Sequence, residues 1–133
     1  MKPFNLFVCL LSICILAGFT QGFAQQPTAK VYWMQILTVS LGKLPDYHTF
    51  AEKEMRPLQE KHGYQFVAGW QTIIGDIEEV ILVAEFDNMD AYLKARMSLL
   101  ASAEYKSLQP KVDALLKGIR TRMMTAVPYV KMK

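Results

Sequence analysis

Residues 63–86, GYQFVAGWQTIIGDIEEVILVAEF, decide the fold. Aromatic and β-branched residues alternate through both halves, and Gly75-Asp76 in the middle carries a turn signal. The first half predicts a strand with Tyr64, Phe66, Ala68, Trp70, Thr72 and Ile74 on one face. The second predicts its antiparallel neighbour. There Val80, Leu82, Ala84 and Phe86 share a face, and Ile81 and Val83 make the other apolar too.

Upstream, His62-Gly63 reads as a helix stop, a potential cation in the last turn followed by a residue free to turn left-handed. The helix it ends opens at Pro45, whose missing N–H costs nothing in a first turn. Asp46 adds favourable negative charge there. Tyr47, Phe50, Ala51, Met55 and Leu58 recur at helical spacing and form one apolar stripe. Pro57 falls inside that pattern and predicts a kink or a shortened helix. Before it, Lys30 to Leu41 reads as the first strand, broken by Gly42.

Downstream, Asn88 is a good N-cap. It opens a helix with Met89, Tyr92, Leu93, Met97 and Leu100 as the expected buried stripe. Ser102 restarts the helix, Pro110 predicts a further kink or break, and Gly118 a stop. Ile119 to Val127 reads as the last strand. The order strand-helix-strand, strand-helix-strand is the ferredoxin-like βαββαβ arrangement, an α+β fold with a four-stranded antiparallel sheet and both helices on one face.

Such a sheet should turn polar on its uncovered face. These strands do not. Val31, Trp33, Leu37 and Val39 occupy one side of the first strand, and Tyr32, Met34 and Ile36 the other. Two-sided apolarity predicts a homodimer whose two sheets close into a barrel-like interior.

The chain has 133 residues, the length of one domain. Lys2 followed by the apolar run Leu6 to Gly18, with Gly22-Phe23-Ala24 as a small-residue cleavage site, predicts a secretory signal over residues 1–24. The alternatives are an uncleaved anchor and a lipoprotein, though Ile13 before Cys14 suits the latter poorly. An exported location follows, periplasmic or secreted, with no membrane contact after cleavage. Residues 25–29 would be a mobile leader, 30–129 the folded domain and 130–133 a frayed tail. Both cysteines, Cys9 and Cys14, fall within the signal, so the mature domain would have no disulfide, thiol nucleophile or thiolate metal site. Lysines and arginines are scattered, which argues against nucleic acid as a partner.

Several segments resemble the NIPSNAP family. Gly42-Lys43-Leu44-Pro45-Asp46-Tyr47 is similar to that family's first strand–helix junction. Lys61-His62-Gly63-Tyr64 resembles its Lys-His-Gly-aromatic link. Trp70-Gln71-Thr72-Ile73-Ile74-Gly75 with Glu79-Val80 resembles its hairpin. Arg96 falls where the family often has a helix arginine, and Arg122-Met123-Met124 with Pro128-Tyr129 resembles its last strand and exit. The resemblance runs from Val31 to Tyr129 and implies the dimeric α-β barrel superfamily. That superfamily includes cofactor-free monooxygenases, haem-using enzymes, isomerases and stress proteins. Most NIPSNAP members have no established reaction. Gln35 stands where relatives tend to have arginine and Glu78 where they tend to have asparagine.

Trp70, Arg96, Gln35 and Thr72 are the candidate lining of a ligand cavity. Trp70 is either a wall for a flat apolar ligand or a packing anchor. Arg96 on an apolar stripe either binds an anion, pairs with Glu79 or Glu85, or reaches water along its stem. Arg120 and Arg122 share a face of the last strand, as an anion site with Arg96 or as a guarded sheet edge. His48 and His62 suit neither metal nor haem ligation. There is no Ser-His-Asp set, glycine-rich phosphate loop or carboxylate cluster, and no catalytic residue, cofactor or metal is assigned. The expectation is an exported, homodimeric NIPSNAP-like domain that binds a small apolar or anionic ligand or a protein. The alternative is a cofactor-independent monooxygenase or isomerase acting on a small apolar substrate in the barrel cavity.

Overall fold

The structure, a computed structural model, describes residues 29–130. The expected signal over 1–24, residues 25–28 of the leader and residues 131–133 of the tail lie outside the described residues. The elements are β1 (Val31–Val39), α1 (Leu44–Phe50), a π-helical turn (Ala51–Met55), α2 (Arg56–Lys61), β2 (Gln65–Gln71), β3 (Glu79–Phe86), α3 (Met89–Ala101), α4 (Ala103–Leu115) and β4 (Leu116–Thr125). All strands pair antiparallel in the order β2-β3-β1-β4. This is the expected α+β, ferredoxin-like sheet.

One helix-facing core packs Trp33, Ala84 and Phe86 of the sheet with Tyr64, against Leu58 of α2 and Tyr92, Ala95 and Leu99 of α3. A second joins Leu37, Val39 and Val80 to Tyr47 of α1. Directly paired residues share a face of a sheet. The opposite face therefore carries, strand by strand, Ala68 and Trp70; Glu79, Ile81, Val83 and Glu85; Tyr32, Met34, Ile36 and Thr38; and Arg120, Arg122 and Met124. Tyr32, Ile36 and Val83 on it are buried, yet they belong to neither cluster.

The hairpin departs from expectation twice. The register shifts between Phe66 and Ala68, which pair with the consecutive residues Ala84 and Val83. Val67 is the extra residue of a β-bulge, and a bulge resets the alternation of side chains. Phe66 thus faces the helices while Ala68 and Trp70 face away, so they do not share a face as alternation suggests. The turn is also longer. β2 ends at Gln71, and Thr72 to Glu78 form a loop closed by Thr72 N–H on Glu79 O at 3.0 Å and Glu79 N–H on Asp76 O at 2.8 Å. Gly75 supplies a positive φ of 106° within it.

The helices differ in detail as well. The first neither ends nor breaks at Pro57. The Arg56 N–H donates to Ala51 O, five residues back, which widens the turn ahead of Pro57. In a regular α-helix the proline ring would meet the carbonyl four residues earlier. The second helical stretch is two helices. Ser102 is extended, and its hydroxyl accepts from Tyr105 N at 3.1 Å to cap α4.

The buried side of α3 is Tyr92, Ala95 and Leu99, whereas Met89, Leu93, Met97 and Leu100 are exposed. This helix is apolar on two sides, and the small Ala95 wins the sheet side because it admits close approach. A Cβ built on Gly63 would sit 3.6 Å from that of Ala95. Pro110 stays inside α4, on its exposed side, where the missing N–H bond is tolerated because that side of the helix faces solvent. Gly118 does not end the helix. It lies in β4 opposite Thr38, next to a register shift.

Candidate ligand-binding site

The four candidate residues do not line one cavity. Gln35 pairs with Leu82 in the middle of β1 and faces the helices. Trp70 is 56% exposed, on the helix-free face of edge strand β2. Thr72 sits at the base of the loop, with its hydroxyl 3.5 Å from Glu79 Oε1. Arg96 is exposed on α3. It stands beside the Tyr64 phenol, whose pKa is pushed up to about 12 by burial, with Arg96 pulling it partly back.

Three of the recesses among the described residues bear on a small-molecule site. The first lies between sheet and helices. It is a cavity of about 60 Å³ where Gln35, Tyr47, Gln59 and Tyr105 bring polar groups among Phe50 and Leu82. Gln59 is 6% exposed. Burial alone pushes the Tyr47 pKa up to about 12, so its phenol stays protonated at neutral pH and can donate but not act as base. The volume suits about two water molecules, each taking roughly 30 Å³ of liquid.

The second is an open groove of about 490 Å³ between α1–α2 and β2. Phe66, Val67 and Gly69 floor it, and His48, Glu52 and Arg56 wall it. Arg56 is held over the Phe66 ring at 5.9 Å and bonded by Nε to Glu60 at 2.8 Å. His48 Nε2 meets Gln71 Oε1 at 3.0 Å. Sequence periodicity cannot find this groove, because the Val67 bulge shapes its floor.

The third, of about 400 Å³, contains His62, Glu85 and Lys94. There His62 Nδ1 lies 2.8 Å from Ser98 Oγ, a contact between α3 and the end of α2 that neither residue announces in sequence. Among the described residues, no group of three or more His, Cys, Asp and Glu side chains gathers as a metal centre.

The helix-free face offers a different kind of surface. Among the described residues its charges sit at the strand ends and along edge strand β4, where Arg122 lies opposite Met34. Lys30 Nζ bonds Glu85 at 2.9 Å at one end, and Arg120 bonds Glu79 at 3.0 Å at the other. Glu79 is therefore the partner of Arg120 and not of Arg96. Arg120 and Arg122 do share a face, but it is the one turned away from the helix that carries Arg96.

A family model described as NIPSNAP matches residues 32–131. Among solved structures, a NIPSNAP family protein from Agrobacterium tumefaciens superposes with a TM-score of 0.72 at 16% identity, covering 78% of this chain and 99% of that one. A second from the same organism, of unknown function, gives 0.72 at 22% identity, covering 79% and 95%. SnoaB, a cofactor-independent oxygenase from Streptomyces nogalater, gives 0.58 at 16% identity, covering 78% and 99%. No relative is found among curated proteins.

Proposed function

We propose, for a chain that belongs to the NIPSNAP family, that it acts after export as a homodimer which binds a small ligand between two sheets packed face to face. The observation that carries this is the helix-free face. Tyr32, Met34, Ile36, Ala68, Trp70, Ile81 and Val83 form one apolar field with charge confined to its margins. No described helix packs there, and an apolar field of this kind calls for a covering layer. A second copy supplies a matching surface at no cost in sequence. Trp70, at the edge of the field, then borders both the dimer contact and the ligand space.

Binding is favoured over catalysis because, among the described residues, the recess that pairs a hydroxyl with an imidazole, Ser98 with His62, leaves the buried His62 Nε2 with no group to orient it. His48 and His62 already have partners in Gln71 and Ser98.

The test is sedimentation velocity and native mass spectrometry of the chain with and without residues 1–24. The expected result is a dimer in both forms, carrying a co-purified small molecule. A monomer that exposes the face only when residues 1–24 are removed would show that the chain's own leader covers it instead.

A second reading has its own observation. The cavity of about 60 Å³ behind Gln35, with protonated Tyr47 on its wall, is a small, mostly apolar space with a few polar groups. It suits a cofactor-independent monooxygenase, the chemistry named for SnoaB, acting on a small apolar substrate. Oxygen uptake with such a substrate, abolished in Gln35→Leu while the fold is kept, would favour that reading over simple binding.

A further inference from the structure

The charges on the helix-free face do not balance. Two acids, Glu79 and Glu85, stand against three cations, Lys30 just ahead of β1 and Arg120 and Arg122 of β4. Glu79 is taken by Arg120 at 3.0 Å and Glu85 by Lys30 at 2.9 Å. Arg122 has no carboxylate within ion-pair distance among the described residues. Its neighbours on the face are apolar. Met34 lies directly opposite, Tyr32 and Ile36 lie diagonally, and Met124 is two residues along β4. Arg120, two residues the other way, is a second cation.

From this imbalance we infer that the space between the two sheets binds one small organic monoanion per copy, a carboxylate on an apolar body, with Arg122 as its anchor. The inference rests on the sheet-to-sheet dimer proposed above. Covering this face moves a guanidinium towards a low-dielectric interior, where an uncompensated charge is costly. A second copy brings its own Arg122 and its own occupied acids, so dimerisation doubles the excess and does not cancel it. A carboxylate supplies one negative charge and accepts the two parallel N–H bonds that a guanidinium offers. A phosphate monoester, at roughly −1.5 to −2 near neutral pH, would overshoot a single cation. Met34, Tyr32, Ile36 and Met124 offer the body of the ligand an apolar surface, with the Tyr32 hydroxyl as its one uncharged polar group.

The experiment measures the dimer dissociation constant of the purified full chain by sedimentation equilibrium. Hexanoate or benzoate is titrated against chloride at constant ionic strength, for the wild type and Arg122→Gln. Hexanoate near ten times its own Kd should tighten the wild-type dimer by about a hundredfold, roughly tenfold for each of the two bound anions. Arg122→Gln should dimerise at least as tightly as the wild type without hexanoate and gain nothing from it. A wild-type dimer indifferent to both carboxylates, or a variant that responds equally, overturns the inference and leaves the dimer standing. A chain that stays monomeric at all concentrations, with or without carboxylate, overturns both.

Discussion

Trp33 and Trp70 show how much a single side chain's setting decides. Sequence alone makes Trp70 the conspicuous residue. The structure gives the core role to Trp33, 1% exposed, with Tyr64 edge-on at 5.1 Å and Phe66 at 6.5 Å between ring centroids. Trp33→Ala should therefore cost about 3–5 kcal/mol, as large aromatic truncations in cores do. Trp70→Ala should cost the isolated protomer about 1 kcal/mol or less, since its ring is half exposed. Urea unfolding of both variants, well below the dissociation constant of the proposed dimer, checks the pair. Equal losses would put Trp70 back in the core. A second expectation concerns Tyr47 and Tyr64. Burial raises both phenol pKa values from 10.0 to about 12. A group whose folded pKa is raised holds its stabilising contribution below the unfolded value and loses it as pH rises. Stability should thus be level up to about pH 10 and fall between 10 and 12. Tyr64→Phe, which cannot ionise, should flatten that fall when melting temperature is followed across the range. Where Gln35, Trp70, Thr72 and Arg96 lie relative to one another was not legible in sequence. Gln35 and Trp70 belong to opposite faces because of one extra residue, Val67, which alternation cannot reveal.

At the level of elements, most of the fold follows from local chemistry. Asn88 caps α3 by accepting from Ala91 N at 2.8 Å, as its side chain suggests. Gly42 and Gly63, with φ of 75° and 98°, turn the chain where sequence places the breaks. Asn88→Ala should lower stability by about 1 kcal/mol, the usual worth of such a cap, measurable in a denaturant titration. What was illegible depended on long-range packing. The face of α3 that is buried was decided by how closely Ala95 can approach Gly63, not by which stripe is more apolar. The π-helical turn before Pro57 is a compromise between a helix held by Tyr47, Phe50 and Leu58 and a proline that a regular turn would exclude. The bulge makes the sharpest test. Deleting Val67 removes only the extra residue: Phe66 stays opposite Ala84, Ala68 opposite Val83 and Trp70 opposite Ile81 in a regular ladder, so Trp70 still faces away from the helices. The deletion variant should therefore keep its cooperative unfolding transition, as should Val67→Ala. A deletion variant that loses its cooperative transition would mean that the bulge itself holds β2 in place.

For the whole molecule, the apolar character of both sheet faces poses one question with two separable answers. Leu37, 3% exposed, sits in the helix-side core with Tyr47 and Val80. Val83 faces the other way, opposite Met34 and Ala68. A charge at either position should be harmful, for different reasons. Leu37→Asp buries an unpaired carboxylate inside the protomer and should cost about 3–5 kcal/mol, enough to leave little folded protein. Val83→Asp should leave secondary structure and the helix-side core intact, because no described helix packs against that face, but it should abolish the dimer. Circular dichroism with size-exclusion light scattering distinguishes the two. A folded Val83→Asp monomer beside an unfolded Leu37→Asp is the expected pattern. A Val83→Asp dimer of unchanged affinity would falsify the sheet-to-sheet contact and, with it, the reason for a ligand between the sheets. The function would then have to be sought on the helix side, at Gln35 or in the groove walled by His48 and Arg56.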